Sequence, residues 1–219
     1  MTKSGNLKNK RILITAGPTW VAIDSVRVIS NTATGETGIL LAEEFSRLGA
    51  KVTLVLGPIG RICLSKNIRL INFRFFDELK DIIVKELRSH RYDAMIHSAA
   101  VSDYAPQKLY RTKIGSGLKK LALSLKSTPK IIDLIKQIRP DIFLVGFKFE
   151  PQSGKQRLIK EAKDLILSSG ADLVVANTLQ RNKYKSFISD GVRVYIEAEN
   201  KRVLVAKLSG LVKEKLLWN

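Results

Sequence analysis

The chain has 219 residues, of which 45% are hydrophobic, and its formal net charge at pH 7 is +18. This length allows one large domain or two small ones, and the hydrophobic content excludes a disordered chain. Apolar runs fall well short of the roughly 20 residues that a membrane-spanning helix needs, so we expect no membrane association.

The net positive charge raises the question of which kind of anionic molecule the protein binds. Basic residues are dispersed along the chain rather than clustered with aromatic residues as nucleic-acid binding would favour, and most are interpreted as solvated faces. A surface of this charge would also attract small anionic substrates, so charge alone leaves both kinds of partner open. The lone Cys63 cannot form an internal disulfide, and the first ten residues lack the apolar core of a secretion signal. We expect a cytoplasmic protein with a flexible basic tail over residues 1–10 and a single domain over residues 11–219.

The first predicted element is a short apolar strand at residues 12–14, which ends in a turn that contains Gly17, Pro18 and Thr19. A buried strand that runs into a glycine turn presents backbone N–H groups to a ligand. The dinucleotide fingerprint with three glycines is missing here, which disfavours a plain NAD site.

A polar segment follows this turn. Asp24, Arg27 and Asn31 are spaced three and four residues apart, and they supply a carboxylate, a cation and a carboxamide. The segment predicts an anion cradle beside the first strand.

A helix is predicted from Gly38 to Leu48. Either Thr37, or Thr34 followed by the conformationally permissive Gly35, is expected to cap it. The first-turn N–H groups of such a helix favour an anion.

Strands and helices then alternate. Strands are predicted at residues 51–56, 68–73, 93–97, 141–147 and 171–177, and helices at 77–89, 153–169 and 204–217. We expect Asp77 to cap the first of these helices, Pro129 to lie in the first turn of another, and a hairpin to form around residues 187–196. This order predicts an α/β fold, a doubly wound and mostly parallel Rossmann-like sheet with its ligand at the carboxyl ends of the strands.

The alternation is interrupted once. The strand at 93–97 exits through small residues, Ala99 and Ala100, with Asp103 just beyond, and a polar stretch follows. Because a long loop without structure is unusual in a compact domain, residues 105–128 are predicted to form a flap or hairpin, with an exposed strand at 121–126.

The motif AGPTxxxIDSVRVISNTATGxTG, which starts at Ala16, resembles the opening of the phosphopantothenoylcysteine synthetase family, also called phosphopantothenate-cysteine ligases. Further family motifs follow in order: Ala-Ala-Val-x-Asp-Tyr at 99–104, Lys-Ile at 113–114, Pro129 in its Ser/Lys-x-Pro-x-Ile segment, Gly-Phe-Lys at 146–148, and Val-Ala-Asn at 175–177. The resemblance extends from Arg11 to about Asn177.

The resemblance implies a stand-alone ligase of coenzyme A biosynthesis. A nucleoside triphosphate, CTP or ATP, with Mg²⁺ would activate 4'-phosphopantothenate as an acyl-nucleotide, and the amine of L-cysteine would then displace the nucleoside monophosphate. The flap implies a homodimer.

Site residues carry over from the matching motifs. The implied catalytic residues are Asn31, Lys113 and Arg27. The implied nucleotide contacts are Gly17, Thr19, Ala99, Ala100, Asp103, Lys113, Pro129, Phe147 and Lys148, although the core is the safer location for Phe147. The implied phosphopantothenate contacts are Asn31, Arg27, Thr34 and Gly35, and no side chain is assigned as a metal ligand.

One departure from the family leaves the nucleotide open. The bacterial fusion enzymes place two lysines late in the helix at 153–169, where this chain has Leu165 and Ser169. Lys148, Lys160 or Lys163 would have to compensate.

Two other classes remain as alternatives. A short-chain NAD(P)-dependent oxidoreductase shares the fold but needs several glycines in its first turn and a Tyr-x-x-x-Lys pair. Tyr104 and Lys108 have that spacing, yet Tyr104 belongs to the Ala-Ala-Val loop. The other alternative is a basic nucleic-acid-binding module.

Overall fold

The computed structural model describes residues 6–218. The strands of this part of the chain are β1 (Arg11–Ala16), β2 (Trp20–Ala22), β3 (Val28–Ser30), β4 (Lys51–Leu56), β5 (Arg69–Asn72), β6 (Ala94–His97), β7 (Tyr104–Pro106), β8 (Leu125–Ser127), β9 (Phe143–Phe149), β10 (Leu173–Gln180), β11 (Lys183–Ser189) and β12 (Val194–Ala198). Its helices are α1 (Glu36–Arg47), α2 (Phe76–Ser89), α3 (Ile131–Ile138), α4 (Lys155–Ser169) and α5 (Lys201–Trp218).

Eight strands form the central sheet, in the order β12-β11-β10-β9-β6-β1-β4-β5. Strands β5, β4, β1, β6, β9 and β10 are parallel to one another, and β11 and β12 extend the sheet beyond β10 as an antiparallel hairpin. The chain runs from β1 outward to β5 and then returns to the other side of β1 with β6. This confirms the predicted fold class, and it places the topological switch point between the exits of β1 and β6, where ligands of such sheets bind.

The two faces of the sheet have separate helical layers. Ile12 and Ile14 of β1 belong to the core on the side of α1 and α5, whereas Leu13 belongs to the core that includes buried residues of α2, α3 and α4. Alternate side chains of a strand point to opposite faces, so strands covered on both sides are apolar throughout. Each such side chain contributes about 1.5–3 kcal/mol when fully buried, which explains why these strands were predictable.

Two predicted helix starts are wrong. Asp77 does not cap α2, because Phe75 is the N-cap residue and the Glu78 carboxylate accepts the N–H groups of Arg74 and Phe75 at 2.7 and 3.1 Å. Pro129 is not in the first turn of α3, since it precedes the N-cap residue Lys130.

The start of α1 is also better defined than predicted. Gly35 is its N-cap residue, in the left-handed region with φ 72°, and Thr37 lies inside the helix. The Thr34 hydroxyl accepts the N–H of Glu36 at 3.4 Å, a long contact. Of the two predicted caps, the pair of Thr34 and Gly35 is the one at the helix start.

Two small hairpins lie outside the main sheet. Strands β7 and β8 pair antiparallel at the base of residues 105–128, and β8, at residues 125–127, overlaps the strand predicted at 121–126 only at its last two residues. We call residues 105–128 the flap. Strands β2 and β3 form a second hairpin that the sequence analysis missed.

The chain before β1 is packed onto the domain where it is described. Leu7 is fully buried, and its N–H donates to the carbonyl of Leu48 at 2.9 Å. The first half of the predicted flexible tail, residues 1–5, lies outside the described residues. Among the described helices, none combines the length and the apolar character needed to cross a bilayer.

Candidate active site

Glycines bring the start of α1 directly onto the exit of β1. A Cβ atom added to Gly35 would lie 3.2 Å from the backbone nitrogen of Gly17, and one added to Gly57 would lie 2.2 Å from the carbonyl oxygen of Pro18. A Cβ atom added to Gly38 would overlap the side chain of Ala16, since it would lie 2.5 Å from the Cβ atom of that residue. Backbone therefore packs on backbone here, and the first-turn N–H groups of α1 lie at the switch point, where they favour an anion.

The exits of β1 and β6 are joined by hydrogen bonds. The N–H of Ala100 donates to the carbonyl of Gly17 at 2.9 Å, and the N–H of Thr19 donates back to the carbonyl of Ala100 at 3.2 Å. The Thr19 side chain is fully buried, and its hydroxyl accepts the N–H of Ser102 at 2.9 Å. Thr19 thus fixes the two loops to each other instead of presenting its hydroxyl to the cleft.

Asn31 crosses the same gap from strand β3. Its side-chain amide donates to the carbonyls of Ala100 and Val101, at 3.0 and 3.2 Å. The structure thereby brings Asn31, Gly17, Ala99 and Ala100 together, as the sequence analysis expected. Both N–H bonds of the Asn31 amide are used in this arrangement.

His97 lies beneath this junction and is buried. The Thr15 hydroxyl accepts the N–H of Ala99 at 3.3 Å and is hydrogen-bonded to Nδ1 of His97 at 2.9 Å. Burial lowers the pKa of His97 to about 4, so the ring is neutral at pH 7 and forms part of the floor of the cleft.

The carboxylate of Asp24 is the most heavily hydrogen-bonded group near the cleft. Its side chain is fully shielded from solvent and accepts the N–H groups of Val26 and Arg27, both at 2.8 Å. Its other oxygen accepts the N–H of Ile114 at 3.0 Å and Nη1 of Arg27 at 2.6 Å. The bond from Ile114 is the main cause that holds the pKa of Asp24 far below its usual range, and burial acts in the opposite direction.

Arg27 is therefore a bridge as well as a cation. Its Nη1 donates both to Asp24 and to the carbonyl of Ile114, the latter at 3.2 Å. Ile114 follows Lys113 directly, and the N–H of Tyr110 donates to the carbonyl of Ile23 at 3.2 Å. The flap segment that carries the exposed Lys113 is thus attached at both ends to the turn between β2 and β3.

Other predicted contacts are less free than expected. Lys148 forms ion pairs with Glu150 at 3.2 Å and Glu161 at 3.3 Å. Burial lowers the pKa of Lys148, but the bonds to the two carboxylates outweigh it and the net shift is upward. Phe147 packs against the hydrophobic core, the location that the sequence analysis favoured.

The remaining predicted positions are at the surface or inside α4. Asp103, Pro129, Lys160 and Lys163 are exposed. Ser169 is buried and donates to the carbonyl of Leu165 at 2.7 Å, so the position aligned with a lysine of the fusion enzymes is used for packing.

Two cavities lie away from this region. One of about 380 Å³ is lined by the amino ends of β1, β4 and β5, and another of about 710 Å³ lies between α1 and α5. None of the residues predicted for the site lines either of them.

The fold and the cleft define a Rossmann-like α/β protein with a switch point between β1 and β6 and a basic flap attached to the turn between β2 and β3. The chain belongs to the family of the DNA/pantothenate metabolism flavoprotein C-terminal domain, whose sequence profile matches residues 7–216.

Two archaeal relatives illustrate the relationship. The chain is 38% identical over 222 residues to the coenzyme A biosynthesis bifunctional protein CoaBC of Thermococcus kodakarensis, with 98% of this chain and 51% of the relative covered. It is 32% identical over 219 residues to CoaBC of Methanocaldococcus jannaschii, with 98% and 49% covered. The chain spans about half the length of these relatives.

Solved structures agree with the fold. The DNA/pantothenate metabolism flavoprotein of Streptococcus pneumoniae superposes with a TM-score of 0.85 at 27% identity, over 94% of this chain and 99% of that one. The C-terminal domain of a CoaBC protein gives a TM-score of 0.78 at 25% identity, over 97% and 98%. Cab2 in complex with phosphopantothenate-cysteine shares the fold, at 18% identity and a TM-score of 0.73 over 96% and 88%.

Proposed function

We propose that this chain is a phosphopantothenate-cysteine ligase of coenzyme A biosynthesis. It joins 4'-phosphopantothenate to L-cysteine through an acyl-nucleotide formed from CTP or ATP. The observation that carries the proposal is the contact of Asn31 with Ala100 across the switch point, beside a flap that carries Lys113. Family membership and the names of the CoaBC relatives support it.

The chemistry suits the groups that meet in the cleft. A carboxylate is a poor electrophile, and nucleotidyl transfer gives its carbonyl a good leaving group. Such a reaction depends mainly on positioning and on the stabilisation of negative charge. The backbone surface at Gly17, Ala99 and Ala100, with Asp103 nearby, is proposed to contact the nucleotide, and Lys113 to stabilise charge on the transferring phosphate.

The acid substrate is proposed to bind on the other side of the cleft. Asn31 and Arg27 hold its reacting end, and Thr34 and Gly35 lie at the start of α1, where the helix favours an anion. Asn31 must give up one of its two backbone partners to donate to an acyl carbonyl. Both it and Arg27 thus combine a structural contact in this conformation with the proposed contact to substrate.

Mg²⁺ is proposed to arrive with the nucleotide, where it would neutralise phosphate charge. Within residues 6–218 no group of three His, Cys, Asp or Glu side chains is close enough to hold a metal ion. Mg²⁺ commonly binds substrate phosphates and waters with few protein ligands, so this donor set fits an ion held mostly by the triphosphate.

Lys148 and Pro129 remain proposed nucleotide contacts. Lys148 would exchange Glu150 or Glu161 for a phosphate oxygen, and this competition makes it the weaker of the two proposed phosphate lysines. Thr19 and Phe147 are proposed to support the nucleotide site through packing. Lys160 and Lys163 are further candidates for the triphosphate.

We further propose a cytoplasmic homodimer. The flap exposes large apolar side chains, since Tyr104 next to it is 59% exposed, Leu109 is 61% exposed and Leu118 is 58% exposed. An apolar surface of this kind favours a protein partner, and a second copy of the chain is the partner that the family resemblance implies.

The oxidoreductase alternative is not favoured. Lys108 lies over the ring of Tyr110, 5.0 Å from its centroid, and Tyr104 is in the β7–β8 hairpin, so the Tyr-x-x-x-Lys spacing has no support as a catalytic pair. The names of the relatives point to coenzyme A biosynthesis instead.

Pyrophosphate release tests the proposal. The purified chain is incubated with 4'-phosphopantothenate, Mg²⁺ and either CTP or ATP, with and without L-cysteine. We expect pyrophosphate to depend on phosphopantothenate, and the amide product to appear only with cysteine. If pyrophosphate release from both CTP and ATP is independent of phosphopantothenate, the assignment is contradicted.

Asn31→Asp tests the carrying observation. A carboxylate cannot donate to Ala100 and Val101 and is repelled by their carbonyl oxygens, so capture of the acyl-nucleotide by cysteine should fall at least tenfold. Asn67→Asp, on the far side of the sheet, is the matched control and should leave the rate unchanged. An unaltered rate in Asn31→Asp would remove Asn31 from the mechanism.

A further inference from the structure

We propose that Asp24 is a positioning residue that attaches the flap to the cleft of its own subunit and thereby places Lys113. The bonds that Asp24 and Arg27 make with Ile114 are called the latch. The attachment is inferred from geometry alone, and only its effect on Lys113 rests on the proposed ligase function.

The two oxygens of Asp24 have separate partners. Oδ1 accepts the N–H groups of Val26 and Arg27, and so closes the turn between β2 and β3. Oδ2 accepts Ile114 and the Arg27 guanidinium. One atom thus shapes the turn and the other holds the flap, which allows the two roles to be separated by mutation.

The latch involves both backbone groups of Ile114. Its N–H donates to Asp24 and its carbonyl accepts from Arg27. With the bond from Tyr110 to Ile23, the turn grips residues 110–114 at both ends. Lys113 lies within this segment, so its reach is set by the turn and not by the rest of the flap, which is exposed between residues 115 and 122.

Asp24→Asn is the variant that isolates the latch. Asparagine keeps one acceptor oxygen and supports turns of this type, so the bonds from Val26 and Arg27 can persist. The new amide group then faces the Ile114 N–H and the Arg27 guanidinium, which are both donors. The turn survives, the latch loses the bond from Ile114 to Asp24, and Arg27 loses the carboxylate that orients it.

Asp190→Asn is the matched control. Asp190 accepts the N–H groups of Val192 and Arg193 at 3.0 and 2.9 Å with Oδ1, and its Oδ2 accepts the hydroxyl of Tyr195 at 2.7 Å. A hydroxyl can also accept, so an asparagine amide at this position finds a partner. Asp190 is distant in sequence from the flap, and these three bonds all lie within its own hairpin.

Limited trypsin digestion measures the latch without any assay of function. Arg111 and Lys113 lie between the two attachment points, whereas Lys119 and Lys120 lie beyond them and serve as internal references. Because hydrogen bonds to a charged group are lost, cleavage after Arg111 and Lys113 should rise roughly tenfold or more in Asp24→Asn relative to the reference sites. Equal cleavage in wild type and Asp24→Asn, or an equal rise in Asp190→Asn, would overturn the latch.

A double-mutant cycle tests whether Asp24 acts through Lys113. Pyrophosphate release is compared in wild type, Asp24→Asn, Lys113→Met and the double variant. If Asp24 only positions Lys113, Asp24→Asn lowers the rate in the presence of Lys113 and has little further effect once Lys113 is methionine. If Asp24→Asn lowers the rate by the same factor in both backgrounds, the positioning role is refuted. Equal losses of this kind are what a general structural defect would produce. If the wild-type chain releases no pyrophosphate, the ligase proposal fails while the digestion still decides the latch.

Discussion

The chain contains the pattern Asp-x-Val-Arg-Val twice, at residues 24–28 and 190–194, and both copies close a β-hairpin. In each, the aspartate accepts the N–H groups of the residues two and three positions later, and the arginine returns to the aspartate at i+3. We call residues 23–27 the first turn and residues 190–193 the second turn.

The two turns differ in what the second carboxylate oxygen meets. In the first turn it meets the backbone of the flap and a guanidinium at 2.6 Å, and the aspartate is fully shielded. In the second turn it meets Tyr195 within the same hairpin, the aspartate is 27% exposed, and Arg193 is 3.7 Å away. A shared local sequence therefore supplies the turn, and the surroundings decide whether the turn also serves another segment.

The largest expected effect concerns the residue that the first turn places. Lys113→Met should lower pyrophosphate release about 100-fold or more, in line with the loss of one donor to transition-state charge. Arg193→Met, which removes the cation of the second turn, should leave the rate within about twofold. Steady-state kinetics decide between them, and similar losses in the two variants would show that the turns do not differ in function.

The next effect concerns stability. Asp24→Ala leaves four buried donors without their acceptor and should reduce the free energy of unfolding by about 3 kcal/mol, whereas Asp190→Ala, at a more exposed turn, should cost about 1 kcal/mol. Urea denaturation monitored by circular dichroism measures both. Equal losses would mean that the shielding of Asp24 has no energetic consequence.

A smaller effect on stability is expected to be larger in the second turn than in the first. Gly191 occupies the second position of its turn with φ 87°, a conformation that strains other residues. Gly191→Ala should therefore cost about 1 kcal/mol of unfolding free energy. Ser25, at the same position of the first turn, does not have a positive φ, so Ser25→Ala should change stability by less than about 0.5 kcal/mol. Urea denaturation of the two variants checks this contrast.

The smallest effect appears only in acid. The N–H donors of Val192 and Arg193 and the Tyr195 hydroxyl outweigh burial and lower the pKa of Asp190 to about 2, from an ordinary 3.8. A lowered pKa in the folded state means that the stabilisation is complete above the ordinary value and is lost as the pH falls through the folded value. The contribution of Asp190 should thus decline between about pH 4 and pH 2, and that of Asp24, whose pKa is lower still, should persist further. Carboxyl ¹³C titration by NMR resolves the two, and a higher midpoint for Asp24 would contradict the bonding described for the first turn.

What the sequence could predict follows from how local each feature is. The strands β1, β4 and β6 are buried on both faces, so their apolar runs identified all three, β4 and β6 almost to the residue and β1 only over its central residues. A site at the carboxyl ends of the strands was expected because neighbouring parallel strands end at the same edge, and the contact of Asn31 with Ala100 lies there. These features follow from local sequence patterns, which can be recognised in a single sequence.

The rest depends on partners distant in sequence. The hairpin of β2 and β3 was missed because Trp20, Val28 and Ser30 give no strong two-residue alternation, and the segment is held by contacts to Arg74, Ala100 and Ile114. Asp77 was predicted to cap α2, but the Glu78 carboxylate accepts the backbone N–H of Arg74 there instead. Arg27 and Asp24 were recognised as polar neighbours, yet their common partner is 87 to 90 residues away, and the repeated Asp-x-Val-Arg pattern is the local signal that could have indicated the turn.

The glycines at the switch point have one more consequence. Because Gly17, Gly35 and Gly57 meet without intervening side chains, a molecule that enters there encounters mainly peptide groups, which are the same whatever the neighbouring sequence. Mutation has little scope to retune such a surface without blocking it. Changes in substrate preference during evolution should therefore accumulate among side chains outside this junction, such as the exposed ones of the flap.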